Sequence, residues 1–190
     1  MTIRKLEHQD ITDVAEIHQK YLSDGLLANL GYNFLKEFYE LLSREKSSFT
    51  FVATEKNKII GFVTMASDLN KIKKKAIRKL WYVVLLRVLK NPNLITKVLG
   101  LPFYPGFEKD TQIPEILSLA VTSENRGKGI GKALLFKSKG EFKKRGFKSF
   151  LLSVRSNMKE ANAFYQKIGL KSVKVANFLG EEMVFYKGRC

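Results

Sequence analysis

Glu115-Ile-Leu-Ser-Leu-Ala-Val121, then Thr122-Ser-Glu-Asn125, then Arg126-Gly-Lys-Gly-Ile-Gly131-Lys-Ala-Leu-Leu135 run on without a break. An apolar run passes through a polar, glycine-rich turn straight into a stretch of helical character. Ile116 to Val121 lies between Pro114 and that turn, and reads as a central strand covered on both faces. Glycines let the backbone turn tightly and bring N–H groups close to a ligand, while a helix start adds unpaired donors and a partial positive charge. Such a turn suits phosphate. Two common phosphate loops fail on spacing: G-x-G-x-x-G does not fit glycines at Gly127, Gly129 and Gly131, and G-x-x-x-x-G-K-[ST] does not fit Gly131-Lys132-Ala133.

Upstream, Thr2 to Glu7 alternates with period two, and Asp10 precedes Ile11, Val14, Ile17, His18 and Tyr21 at helical spacing, predicting a strand and then a helix. Tyr32, Phe34, Leu35, Phe38, Tyr39, Leu41 and Leu42 make a second amphipathic helix. Phe49 to Thr54 and Ile59 to Ala66, joined by Glu55 to Lys58, predict a hairpin. Downstream, Lys132 to Arg145 is helical and ended by Gly146, Phe147 to Val154 is a strand, and Ala161 to Ile168 is a short helix stopped by Gly169. Strands near Ser172 to Ala176 and Met183 to Lys187 follow. The order predicts an α/β fold, residues 1–190 forming a single domain.

The chain has 190 residues with 34 basic and 18 acidic side chains, a formal net charge of +16, and its apolar and aromatic share of 45% excludes a mainly disordered chain. Lys71, Lys73, Lys74, Lys75, Arg78, Lys79, Arg87, Lys90 and Lys97 stand between Asn70 and Leu99 with no acid among them. We read residues 70 to about 113 as a basic helical insertion, broken at Asn91-Pro92-Asn93. The charge favours phosphate-bearing partners without choosing among nucleic acid, an anionic membrane and a phosphorylated cofactor. Trp81 to Leu89, interrupted by Arg87, is far shorter than the roughly 20 residues of a membrane span. The N-terminus lacks the apolar run of a secretory signal, and the one cysteine, Cys190, cannot form an intramolecular disulfide, so a cytoplasmic location is expected. His8 and His18 lie apart from any carboxylate or cysteine cluster, so surface or packing roles and no metal are expected. No G-x-S-x-G elbow supports a serine hydrolase.

Arg126-x-x-Gly129-x-Gly131 resembles the [RQ]-x-x-G-x-[GA] motif of the GNAT superfamily of acetyl-CoA-dependent N-acetyltransferases. Ala161-Asn-Ala-Phe-Tyr165-Gln-Lys-Ile-Gly169-Leu170 resembles that family's closing A-x-x-x-Y-x-x-x-G-[FL] element. The resemblance covers most of the chain but not Asn70 to Pro114. It implies a mixed central sheet flanked by helices and a cofactor, acetyl-CoA, whose pantetheine lies along Leu119, Ala120 and Val121 where that strand splays from its neighbour. It implies further that backbone N–H groups of Arg126, Gly127, Lys128, Gly129, Ile130, Gly131 and Lys132 hold the pyrophosphate. The Leu119 amide would meet the thioester oxygen, and Tyr165 would act as general acid on the departing sulfur.

Glu115 matches the strand start where some family members carry a carboxylate general base; a glutamate there is also a common solvent-exposed residue. Asn157 and Asn162 match asparagines near the pantetheine arm or phosphates in relatives, with loop capping as the other role open to them. Tyr165 is open to a helix–sheet packing role. The expected reaction moves an acetyl group to a primary amine of an unidentified acceptor by direct attack, the acceptor being in one version a phosphorylated molecule such as a nucleotide-linked amino sugar. The alternative is a basic nucleic-acid- or anionic-membrane-binding protein on the same fold without catalysis. Nucleic acid is disfavoured by the lack of a groove-reading or strand-stacking motif, peripheral membrane contact through the insertion stays open, and the sequence sets no oligomeric state.

Overall fold

Lys56 and Asn57 both adopt left-handed backbone, with φ of 47° and 61°, and this two-residue turn joins β2 (Ser48–Glu55) to β3 (Lys58–Ala66). The structure, a computed structural model, describes residues 1–100 and 113–190. Before the hairpin stand β1 (Thr2–Lys5), α1 (Ile11–Tyr21), α2 (Leu26–Asn29) and α3 (Tyr32–Ser43). After it come α4 (Leu69–Lys90), α5 (Ile95–Gly100), β4 (Glu115–Val121) and α6 (Ile130–Lys144). The chain ends with β5 (Ser149–Arg155), α7 (Lys159–Lys167), β6 (Lys171–Phe178) and β7 (Glu181–Arg189). The stretch read as a basic insertion is helical in its first part, α4 and α5; its part from 101 to 112 lies outside the described residues.

The strands form one mixed sheet in the order β1-β2-β3-β4-β5-β7-β6, with every neighbouring pair antiparallel except β4 and β5. That single parallel junction is crossed by α6, as a parallel connection requires. Apolar side chains cover the sheet on both faces. On one face Val14, Phe34, Leu35, Phe38 and Tyr39 from α1 and α3 pack with Ile72 and Leu80 of α4 against Val52, Phe62 and Ala120. On the other, Leu134, Leu135 and Phe142 of α6 and Tyr165 of α7 pack against Phe51, Met65, Phe150, Leu152 and Tyr186.

β4 is central, yet its burial alternates: Ile116, Ser118 and Ala120 are buried, whereas Leu117, Leu119 and Val121 are only partly so. A core lies on each of its faces, as expected, Leu117 and Ala120 belonging to one and Ile116, Leu119 and Val121 to the other. Its outer half, however, lacks a partner strand on one side, because β5 accompanies β4 only at Glu115↔Leu151 and Ile116↔Leu152. A bulge adds to the bend. Thr64 pairs with Ser118 and Met65 with Ile116, so Leu117 is the extra residue opposite β3. Beneath the bulge, the Tyr39 hydroxyl lies 2.6 Å from His18 Nδ1 and within reach of Ser118 and Thr64, and Thr64 Oγ1 is 3.1 Å from Thr50 Oγ1. Burial pushes His18 down to about pKa 4, so this hydrogen-bonded chain is neutral at pH 7.

The edge of the second core is closed by a glycine. Gly188 on β7 pairs with Phe150 on β5, and a Cβ built on Gly188 would stand 2.4 Å from Phe150 Cζ. Phe150 is fully buried and stacked on Phe142 at 5.6 Å, so its ring has nowhere to swing. Gly188→Ala is therefore expected to lower unfolding stability by about 1–3 kcal/mol, the usual cost of overpacking a core; urea denaturation that leaves the midpoint in place would refute this packing account.

Candidate active site

Past Ile116, β4 and β5 part. Thr122 donates its N–H to the Ile60 carbonyl at 3.0 Å, which makes Ala120 and Ser118 the residues that exchange hydrogen bonds with β3. By alternation, the N–H and C=O of Leu119 and Val121 point to the β5 side, where the ladder has already stopped. The Val121 carbonyl accepts a bond from Arg126 Nε at 3.3 Å. The Leu119 amide has no backbone partner among the described residues.

The turn after β4 is fixed at its start and open at its end. Thr122 carries the turn through bonds from Asn125 N–H to its carbonyl and from Asn125 Nδ2 to its hydroxyl, both 3.0 Å. Arg126 N–H donates to Ser123 O at 3.2 Å, so this amide is already used. The amides of Gly127, Lys128, Gly129, Ile130, Gly131 and Lys132 have no acceptor among the described residues. Left-handed backbone at Gly127 and Gly129, φ 77° and 80°, turns this row of donors inward and makes Gly129 the N-cap of α6. Gly131 lies beside the Phe164 ring of α7, 3.4 Å from where a Cβ would stand, an ordinary contact that leaves room for alanine. α6 begins two residues earlier than its propensities predict, because left-handed Gly129, which caps it, is required by the turn.

These pieces border one cleft of about 830 Å³. Its walls include Leu119, Ala120, Val121, Arg126, Gly127, Gly129, Ile130, Gly131, Lys132, Asn157 and Tyr165. Lys128, Asn162 and Glu115 are absent from this lining. Lys128 Nζ donates instead to Asn125 Oδ1 at 3.0 Å. Asn162 is committed to the protein's own framework: Nδ2 donates to the Arg155 and Met158 carbonyls, both at 2.9 Å, and Oδ1 accepts from the Tyr186 hydroxyl at 2.9 Å. It clasps the end of β5 to α7. Asn157 is exposed on the rim, with its carbonyl bonded to Lys159 N–H.

Tyr165 stands mid-way along α7, buried between Phe164 and Tyr186, with ring centroids 5.2 and 5.7 Å away. Its hydroxyl has no hydrogen-bond partner among the described residues. Burial, and then the neighbouring Tyr186, push its pKa above the ordinary phenol value, so it carries its proton at pH 7. Glu115 begins β4 and points to the face of α4, where Lys73 is the charged neighbour. Burial raises its pKa to about 7 against the opposing pull of Lys73. Four residues of strand put it roughly 13 Å or less from the Leu119 amide, since each residue advances about 3.3 Å and the bulge shortens the path.

Two groups, one in the cleft wall and one behind it, carried no functional signal in the sequence. Tyr21, at the end of α1, lines the cleft and lies 5.6 Å beneath the Arg126 guanidinium. Arg155, at the end of β5, pairs with Asp24 at 3.1 Å and Glu181 at 3.3 Å, tying the segment after α1 to the β6–β7 turn. Neither is set off by spacing or composition; only the fold brings its partners together.

Three solved structures illustrate the shared architecture. The ribosomal-protein-S18-alanine N-acetyltransferase of Escherichia coli is 17% identical with a TM-score of 0.63, over 99% of this chain and 92% of that one. The ribosomal-protein-alanine N-acetyltransferase of Brucella melitensis is 14% identical, TM-score 0.66, with both chains fully covered at 100%. Ard1 of Thermoplasma volcanium is 18% identical, TM-score 0.63, over 99% of this chain and 96% of that one. At these identities the likeness shows the fold. No curated protein matches the chain in a sequence search. The sequence profile of the acetyltransferase (GNAT) family matches residues 11–170, which takes in the open turn, the parted strands and Tyr165, and the chain belongs to that family.

Proposed function

We propose that this protein transfers the acetyl group of acetyl-CoA to a primary amine by direct attack, with no covalent enzyme intermediate. The observation that carries the reading is that two sets of unpaired backbone donors, Leu119 on β4 and the turn from Gly127 to Lys132, border one cleft. A diphosphate fits the turn, which has donors and no competing acceptor. An extended amide-bearing arm fits the edge of β4, which can bond it as a further strand would. Acetyl-CoA, when bound, supplies an activated acyl group.

The chain's own contributions follow from position. The Leu119 amide faces the gap and donates to charge developing on the thioester oxygen, a fixed donor that needs no reorganisation. Tyr165, protonated and without a protein partner, donates to the departing sulfur. Its raised pKa makes it a poorer acid than an ordinary phenol, so its main effect is hydrogen bonding to the forming thiolate before that sulfur takes up a proton. Arg126 takes part through its side chain rather than its amide. Asn162 holds α7 and Asn157 meets the arm from the rim. Glu115, at the far end of β4, takes the amine proton through bridging water, and a pKa of about 7 suits it to that task.

The domain spans residues 1–190 and works in the cytoplasm, where acetyl-CoA is available. Among the described residues no helix is long and apolar enough to cross a membrane. The net charge of +16 favours an acceptor carrying phosphate, such as a nucleotide-linked amino sugar, over a cationic amine. A thiol-release assay over a panel of amines tests the reading, and a purified protein that neither binds coenzyme A nor releases thiol with any amine rejects it.

Tyr165→Phe is expected to lower kcat by about 10²- to 10³-fold, the cost of losing one donor to developing charge, while coenzyme A affinity stays close to wild type; a variant with full turnover removes the hydroxyl from the mechanism. Gly129→Val forces a β-branched residue into left-handed backbone where a Cβ meets no neighbour, so only conformational strain acts. Calorimetry should show coenzyme A binding weakened about tenfold or more, as a strain of 1–2 kcal/mol implies. For Glu115, kcat/KM should climb about tenfold per pH unit and level off near pH 7, and Glu115→Gln should abolish that inflection. The sign on stability is opposite to that of a salt-bridged acid. A raised pKa contributes stability in full below about 4.5 that is lost as pH rises through about 7, so Glu115→Gln should unfold at higher temperature than wild type above pH 7. An unchanged pH profile in that variant assigns the base elsewhere.

A further inference from the structure

α4 is 22 residues long, yet only Ile72 and Leu80 are fully buried. Asp68 caps it, its carboxylate accepting from Lys71 N–H at 2.8 Å, and Lys75 is paired with Glu45 of the loop after α3. One narrow stripe therefore holds the helix to the fold and the opposite face is open. Lys71, Lys74 and Arg78, then Trp81, Leu85 and Leu89, recur at three and four residues and lie on that open face in one row. The row is basic in its first half and apolar in its second. Trp81 is 61% exposed, Leu86 57% and Leu89 68%, and α5 adds exposed Ile95 and Leu99. An aromatic and aliphatic patch of this extent, on a helix with no acid along its length, is not the ordinary surface of a monomer.

We propose that this face of α4 and α5 is a docking surface for the headgroup region of an anionic lipid bilayer. The basic half opens on a groove of about 410 Å³ lined by Asp68, Asn70, Lys71, Lys74, Lys75 and Arg78, wide enough for lipid phosphates. The apolar half presents Trp81 and leucines at the depth where acyl chains begin, while long basic side chains reach back to the headgroups. Charge complementarity selects this occupant. A second copy of the chain would bring cationic helices together, nine basic residues between Asn70 and Leu99 on each side. Nucleic acid would meet the lysines and find a ring in Trp81, but it has no use for Leu85, Leu86 and Leu89, which would stay exposed to water beside it. The surface rests on α4 and α5 alone and is independent of the acetyl-transfer reading.

Trp81 is the only tryptophan in the chain, so its fluorescence reports this face directly. The full-length protein should co-sediment with vesicles of mixed phosphatidylcholine and phosphatidylglycerol, with a blue shift of Trp81 emission, and should stay in solution with phosphatidylcholine alone. Replacing the exposed cations, K71Q/K74Q/R78Q, should weaken partitioning by about 100-fold, at roughly fivefold per charge near an anionic surface. The pair L85E/L89E should abolish the blue shift while circular dichroism and coenzyme A binding match wild type; both side chains are exposed, so folding is not at stake. Four results would overturn the proposal: no shift with anionic vesicles, equal vesicle binding by L85E/L89E, tighter binding to polyuridylate than to vesicles, or a dimer in sedimentation that L85E/L89E dissolves.

Discussion

A parallel pair of strands that separates after two residues leaves backbone donors and acceptors facing each other across a gap too wide to bridge. Everything at the candidate site follows from that separation of β4 and β5 beyond Ile116 and Leu152. An unpaired buried amide costs about 1–3 kcal/mol unless water or a ligand satisfies it, so the gap has to remain accessible, and it does: Leu119 and Val121, whose amides face it, line the open cleft. The gap is held open from both sides. On one flank the Leu117 bulge bends β4 over the buried His18, Tyr39, Ser118 and Thr64 chain. On the other, Asn162 fastens the end of β5 to α7 through the Arg155 and Met158 carbonyls. Neither device touches the cleft's contents.

The two faces of the sheet carry different duties. α6 and α7, with their dense aromatic core around Phe142, Phe150 and Tyr186, bring the open turn and Tyr165 to the same edge of the gap. α1, α3 and α4 support β4 from the opposite face and present Glu115 to Lys73 there. A proton leaving the gap toward Glu115 has to travel along β4, and the strand supplies a fixed distance for it. In the proposed reaction the charge that appears at the thioester and the charge that is removed from the amine are thereby handled at separate ends of one strand.

Much of this was legible in the order of residues. The strand–turn–helix unit around Arg126 to Gly131 is local, and its chemistry needs only the chain's own neighbours, so spacing alone identified the turn as a donor site. The same holds for α7, whose periodicity and closing Gly169 bracket Tyr165. What escaped reading depends on contacts between distant segments. α2 is a single turn too short to show periodicity. Gly188 reads as an ordinary strand residue until Phe150 is seen above it. Asn162 was open to loop capping as well as to the pantetheine arm, and its amide does bond the nearby carbonyls of Arg155 and Met158; what sequence could not show is the Tyr186 hydroxyl that reaches its Oδ1 from β7. Arg126 was assigned a free amide that the Ser123 carbonyl takes up, because a tight turn consumes its own first donor.

Donors that belong to the main chain have a further property. The amides of Leu119 and of Gly127 to Lys132 persist whatever side chain is attached, provided the residue is not proline and the turn positions remain glycine. Drift in sequence therefore erodes almost everything else first. Solved structures only 14 to 18% identical keep this architecture over nearly complete chains, and a site built from main-chain donors leaves the side chains around it free to vary.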